Sequence, residues 1–101
     1  MEYAIIYTPG DAWVSGRAPG EQPLNPHFSY VEQLRGERKI IQDTPFLGNQ
    51  KVTVLDVGSE IEARDILRHD PTVIAGVLRA ELTFWSIVFG IHADRFLPTR
   101  G

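Results

Sequence analysis

Cysteine is absent from the 101 residues, which excludes disulfides, thiolate zinc sites and a cysteine nucleophile. Also missing is any apolar run close to the roughly 18 residues that a membrane span requires; the stretch Phe84 to Phe89 is among the longest. Basic clusters are missing too. Lys and Arg number 10 against 13 acidic residues, for a formal net charge of −3, and only Arg38-Lys39 pair up. Binding to a phosphate backbone relies on clustered Lys and Arg, so neither nucleic acid nor a membrane is the expected partner. The opening Glu2-Tyr3-Ala4-Ile5-Ile6-Tyr7 has no basic n-region and no cleavage site, and reads as a first strand instead of a signal peptide. These absences are compatible with a reducing compartment, and a cytoplasmic location is the expectation.

What is present suffices for one core. A hydrophobic content of 43% in a chain of this length points to a single domain without staples. Tyr3 to Thr8 is a β-branched and aromatic run stopped by Pro9-Gly10. Pro9 to Pro26 is rich in Gly and Pro and shows no periodicity. A loop this long in a compact domain is usually functional or disordered, and Trp13 at its middle favours function. Leu24, Phe28, Val31 and Leu34 then recur in steps of three or four, which predicts a helix. Asn25 is suited to cap it, Pro26 to its first turn, and Gly36 to end it in the left-handed conformation. Ile40 and Ile41 lead to Thr44-Pro45-Phe46-Leu47, read as a second strand at an edge. A turn at Gly48-Asn49-Gln50 precedes a third strand over 52–57. Ser59-Glu60-Ile61-Glu62 is a capping box opening a second helix, which Asp70-Pro71 should stop. A single turn over 72–76 leads to a fourth strand over 78–89. Residues 1–91 form the expected domain and 92–101 a mobile tail.

The order strand, helix, strand, strand, helix, strand predicts an α+β, ferredoxin-like βαββαβ fold: a four-stranded antiparallel sheet with two helices on one face. The strands nevertheless carry apolar residues on both faces, Tyr3, Ile5 and Tyr7 against Ala4 and Ile6. A second subunit is the simplest cover for the other face, so a homodimer packed through the sheet is expected.

Two residues beside prolines stand out as a candidate acid/base pair. His27 follows Asn25-Pro26 at the start of one helix, and Asp70 precedes Pro71 at the end of the other. A carboxylate bonded to an imidazole fixes its tautomer and leaves the far nitrogen to take a substrate proton. Each has an ordinary alternative: His27 as a capping or packing residue, Asp70 as a turn former bonded to its own backbone. Trp13, Phe46 and Trp85 are candidates for lining an apolar substrate pocket, although Phe46 and Trp85 equally suit a core or dimer interface. Tyr30, on a neighbouring face of the His27 helix, is a candidate ligand contact or a surface residue. His27, His69, His92, Asp70 and Asp94 carry metal-ligating groups, but no pair has the i, i+4 spacing of a helical zinc site, and no metal or cofactor is expected.

The chain from Tyr3 to about Gly90 resembles the YCII-related (YciI-like) proteins. The resemblance is carried by Asp70-Pro71-Thr72-Val73-Ile74-Ala75-Gly76-Val77, by His27 at the start of its helix, and by Trp13-Val14-Ser15-Gly16, Thr44-Pro45-Phe46 and Ala80-Glu81-Leu82 to Trp85. It implies a dimeric α+β barrel and an active site built on a histidine and an aspartate, here His27 and Asp70. Relatives include a dehydrochlorinase of aromatic degradation, and the fold is shared with muconolactone isomerase. The implied activity is cofactor-free elimination or isomerisation of a small, aromatic or lactone-like substrate; a non-catalytic small-molecule-binding or regulatory dimer is the alternative. Where the family usually has glycine before its Pro-Phe pair, this chain has Asp43-Thr44, so Asp43 would narrow the pocket or add a carboxylate to it. Thr72 stands where a ring residue is common.

Overall fold

The structure, a computed structural model, describes residues 1–85. Strand β1 spans Glu2–Pro9, helix α1 Asn25–Gly36, β2 Ile40–Asp43, β3 Lys51–Asp56, α2 Glu60–Arg68, the short α3 Pro71–Ile74, and β4 Leu78–Trp85. The sheet order is β2-β3-β1-β4 and every neighbouring pair is antiparallel. This is a ferredoxin-like α+β arrangement, with α3 as a third helix that the periodicity had shown only as a turn. The expected end of the fourth strand over 86–89, the boundary at residue 91 and the tail, with His92 and Asp94, lie outside the described residues.

Alternation along the strands sets the two faces of the sheet. Tyr3, Ile5 and Tyr7 lie opposite Leu55, Thr53 and Lys51 of β3 and opposite Phe84, Leu82 and Ala80 of β4. Tyr3, Ile5, Tyr7 and Leu55 join Leu34 of α1 and Ala63 and Ile66 of α2 in one buried cluster, so this is the face the helices cover. Burying each such large side chain contributes roughly 1.5–3 kcal/mol. The other face carries Ala4, Ile6, Val52, Val54 and Trp85.

Several local expectations are corrected. The α1 cap is Leu24, whose side chain makes no capping bond, and Asn25 is already helical. The helix ends in a Schellman motif, but its left-handed residue is Arg38, at φ 61°, not Gly36. Lys39 N–H reaches Leu34 C=O at 3.0 Å and Arg38 N–H reaches Arg35 C=O at 3.0 Å, the paired bonds that close such a terminus. The second strand runs over Ile40–Asp43, upstream of Thr44-Pro45-Phe46-Leu47. Pro45 has no amide to give a ladder, and Thr44 diverts the pairing, since its hydroxyl accepts from Val52 N–H at 3.0 Å. At α2, Ser59 Oγ accepts from Glu62 N–H at 3.1 Å as expected, but Glu62 reaches back to Gly58 N–H instead of Ser59.

The long loop after β1 is ordered by one side chain that the sequence reading passed over. Gln22 accepts from Val14 N–H at 2.8 Å and donates to Val14 C=O at 2.9 Å and Arg17 C=O at 3.0 Å. Those three bonds replace the water that unpaired loop amides would need. The loop's first turn is pinned to the α3–β4 connection by Gly10 N–H on Val77 C=O and Ala12 N–H on Gly76 C=O. Gly10 is required there because a Cβ would run into the Gly76 carbonyl oxygen.

Candidate active site

Three junctions converge at one end of the sheet. The first turn of α1 supplies His27, the residue capping α3 supplies Asp70, and the first residue of β3 supplies Lys51. His27 Nδ1 lies 2.6 Å from Asp70 Oδ2, so the histidine and aspartate that are distant in sequence do meet. Asp70 divides its two oxygens between its candidate roles. Oδ1 accepts from Thr72 N–H at 2.8 Å and Thr72 Oγ1–H at 2.6 Å, capping α3, while Oδ2 holds the imidazole. Burial alone would raise the Asp70 carboxyl, but the bonds from His27 and Thr72 outweigh it and hold it below its ordinary 3.8.

The far nitrogen of His27 is not open, contrary to expectation. Lys51 Nζ sits 2.6 Å from Nε2 and 2.7 Å from Asp43 Oδ1. With an ionised Asp70 accepting at Nδ1–H, Nε2 is the acceptor and the Lys51 ammonium the donor. One hydrogen serves the Nε2–Nζ bond. Asp43 Oδ1 also accepts from Thr53 Oγ1–H at 2.7 Å, and Asp43 Oδ2 lies 3.9 Å from the Arg35 guanidinium. The result is a continuous chain Asp70–His27–Lys51–Asp43, with charges alternating on either side of the ring. Its inner members are sealed, at 0% exposure for His27 and Asp70 and 2% for Lys51, and it approaches solvent at Asp43, at 15%.

Aromatic rings enclose the chain. Tyr7 of β1, opposite Lys51 in the register, meets the His27 ring edge-on at 4.8 Å and lies 5.5 Å from Lys51 Nζ. Burial first, then the Asp70 and Asp43 carboxylates, push the Tyr7 phenol well above its ordinary value. Phe28 stands 5.5 Å from the His27 ring and 5.9 Å from Lys51 Nζ, and is itself 45% exposed. For the Lys51 amine, burial is the largest influence and lowers its pKa from 10.5, against the opposing pull of Asp43.

The remaining candidates divide. Asp43 belongs to the chain, though as the partner of Lys51. Trp13 and Phe46 pack on one another at 6.3 Å and against the core. Tyr30 donates to Ile66 C=O at 2.8 Å, tying α1 to α2. Trp85 pairs with Glu2 at the end of β1 remote from Tyr7, on the face away from the helices, so it cannot share a pocket with His27. Neither of two concavities of about 290 Å³ among the described residues is lined by His27: one lies between α1 and α2 around Tyr30, Lys39 and Glu62, the other around Gly10, Val73 and Arg79. Among the described residues no group of three or more His, Asp or Glu side chains is arranged to hold a metal ion, and no helix is long and apolar enough to cross a membrane.

The residue that sequence reasoning missed is Lys51. A lysine straight after a turn reads as solvated, and the third strand was expected to begin at Val52. The available signal was alternation: Lys51, Thr53 and Leu55 share a face, and Leu55 marks it as the covered one. Comparison with known proteins adds no assignment: no protein-family model matches the chain and no curated protein matches it.

Proposed function

We propose that this protein is a small acid/base enzyme that moves a proton on an enolisable or phenolic substrate, in an elimination or isomerisation needing no cofactor. The observation that carries this reading is the buried chain Asp70–His27–Lys51–Asp43. Burying two carboxylates, an ammonium and an imidazole costs several kcal/mol per ion before pairing offsets it, on the order expected for any buried charge. Groups held in that state cluster at functional sites. Asp70 fixes the ring and balances its charge when protonated, and Lys51 and Asp43 control the nitrogen that exchanges the proton. The likeness of His27 and the Asp70-Pro71 segment to the YCII-related proteins supports the same reading.

The test is deuterium incorporation from heavy water into a panel of small ketones, lactones and phenols, followed by proton NMR. The expected result is exchange by the wild-type chain that falls about 10²–10⁴-fold in His27→Gln, the usual contribution of a general base, with the circular dichroism spectrum unchanged. A second reading, a ligand-binding or regulatory dimer, is favoured by the complete enclosure of His27 and Asp70. It prevails if compounds raise the melting temperature and none exchanges. A second copy of the chain is proposed to cover Ile6 and Val52, which stay half-buried on the sheet face away from the helices. Sedimentation of wild-type and Ile6→Glu chains tests this: a wild-type monomer removes the dimer.

A further inference from the structure

We propose that Lys51 is a carbonyl-capturing amine, which condenses with a small aldehyde or ketone to form an imine and thereby frees His27 to act as the base. The inference rests on the acid/base reading of the same chain and adds a covalent step and a substrate class to it. Its starting point is the obstruction just described. In the resting site Nε2, the nitrogen meant to take a substrate proton, is occupied by the Lys51 ammonium at 2.6 Å. A base so engaged cannot act until that hydrogen is removed or redirected.

Imine formation does this with the groups in place. Lys51 Nζ passes a proton to Nε2, and the resulting imidazolium is held by Asp70 at 2.6 Å. The neutral amine attacks the carbonyl carbon; the C–N bond forms and the C=O π pair moves to oxygen. One proton shifts from nitrogen to that oxygen, the imidazolium supplies a second, and the C–O bond breaks with loss of water. The sum is an ammonium plus a carbonyl giving a protonated imine plus water, with one positive charge on each side. The iminium nitrogen keeps a single hydrogen, which Asp43, 2.7 Å from Nζ, is placed to accept. Nε2 is left neutral and unpaired. The iminium withdraws electrons from the neighbouring carbon and acidifies its C–H, and Nε2 is then the base beside it. Burial favours the neutral amine that the attack needs, and Phe28, 5.9 Å from Nζ and partly exposed, is the ring whose rotation would admit the carbonyl.

The sequence makes the test clean, because Lys39 and Lys51 are the chain's two lysines. Lys39 lies at the surface with its pKa raised, through its bond to Glu62 first, and serves as an internal control. The folded chain is treated with glyoxylate and cyanoborohydride at neutral pH, and peptide mapping by mass spectrometry follows both lysines over time. The expected result is faster reduction at Lys51 than at Lys39, since the lowered pKa of Lys51 and the raised pKa of Lys39 both place the larger free-amine fraction at Lys51. Phe28→Ala should speed Lys51 further and leave Lys39 unchanged. Unfolding cannot mimic this preference, because it exposes both amines alike. If Lys51 fails to outpace Lys39 in both chains, the proposal is overturned. Should His27-dependent deuterium exchange persist in that case, only the covalent step falls and the acid/base reading stands.

Discussion

Lys39 and Lys51 carry the same side chain into opposite surroundings. Lys39 bridges Glu62 at 3.1 Å and Glu37 at 3.6 Å beside the seam of α1 and α2, where water reaches every partner. Its bond to Glu62 raises its pKa. Lys51 has a carboxylate closer still, at 2.7 Å, yet its pKa moves down because burial outweighs the partner. A charged pair in water is stabilised by its partner with little desolvation to offset. Beneath the sheet the same pairing chiefly compensates for lost water. Proximity of opposite charge therefore does not rank the two sites; solvent does, and it makes one lysine ordinary and the other poised.

Breaking the inner site should have the largest effect. Lys51→Met leaves Asp43 and His27 without their partner and should cost about 3–5 kcal/mol, as removal of one member of a buried pair does, measured by urea denaturation. The pH dependence sharpens this. A lowered Lys51 pKa means the unfolded chain binds more protons between the folded value and 10.5. Wild-type stability should rise with pH through that window, and the rise should vanish in Lys51→Met. Asp70 acts in the opposite range: its lowered pKa contributes stability above 3.8 that is lost as the pH falls through the folded value.

An intermediate effect is expected where the seam is half-buried. Tyr30→Phe removes the bond to Ile66 C=O and should cost about 0.5–1.5 kcal/mol, the usual net worth of one hydrogen bond. Burial first, then Asp70 and Glu37, push the Tyr30 phenol up to about 12. Its contribution is thus complete below 10.0 and lost as pH rises toward 12, and chemical denaturation of the variant should show a weaker alkaline decline. If both chains decline alike, Tyr30 is not the titrating group.

The smallest effect belongs to the outer lysine. Lys39→Met should shift the melting temperature only slightly, and the difference from wild type should disappear in high salt, because exposed pairs are screened. The Lys51→Met difference should persist in that salt. A salt-sensitive Lys51 and a salt-resistant Lys39 would reverse the contrast between the two sites.

Much of the fold was legible because it follows from local rules. The alternation of Tyr3, Ile5 and Tyr7, the helical spacing of Leu24, Phe28, Val31 and Leu34, and the Ser59 cap each act over a few residues. Errors arose where two local rules compete. At Thr44-Pro45 a β-prone composition met a missing amide, and the strand formed upstream. At Gly36 the residue best suited to a left-handed turn was passed over for Arg38, because the Arg35 and Leu34 carbonyls met the amides of Arg38 and Lys39. Of the candidate site, His27 and Asp70 were visible through their prolines. Lys51 was not, since its burial depends on what α1 and α3 place above it.

The sequence alone determined the element order, the apolar periodicities and the two proline-flanked junctions, since these depend on neighbours within a turn or a strand. Tertiary structure decided what meets at those junctions. The β1–β3 register sets Lys51 opposite Tyr7, and the docking of α1 and α3 brings His27 and Asp70 over it. Contacts between residues distant along the chain, in a place water does not reach, turn an unremarkable lysine after a turn into the link between an imidazole and a carboxylate.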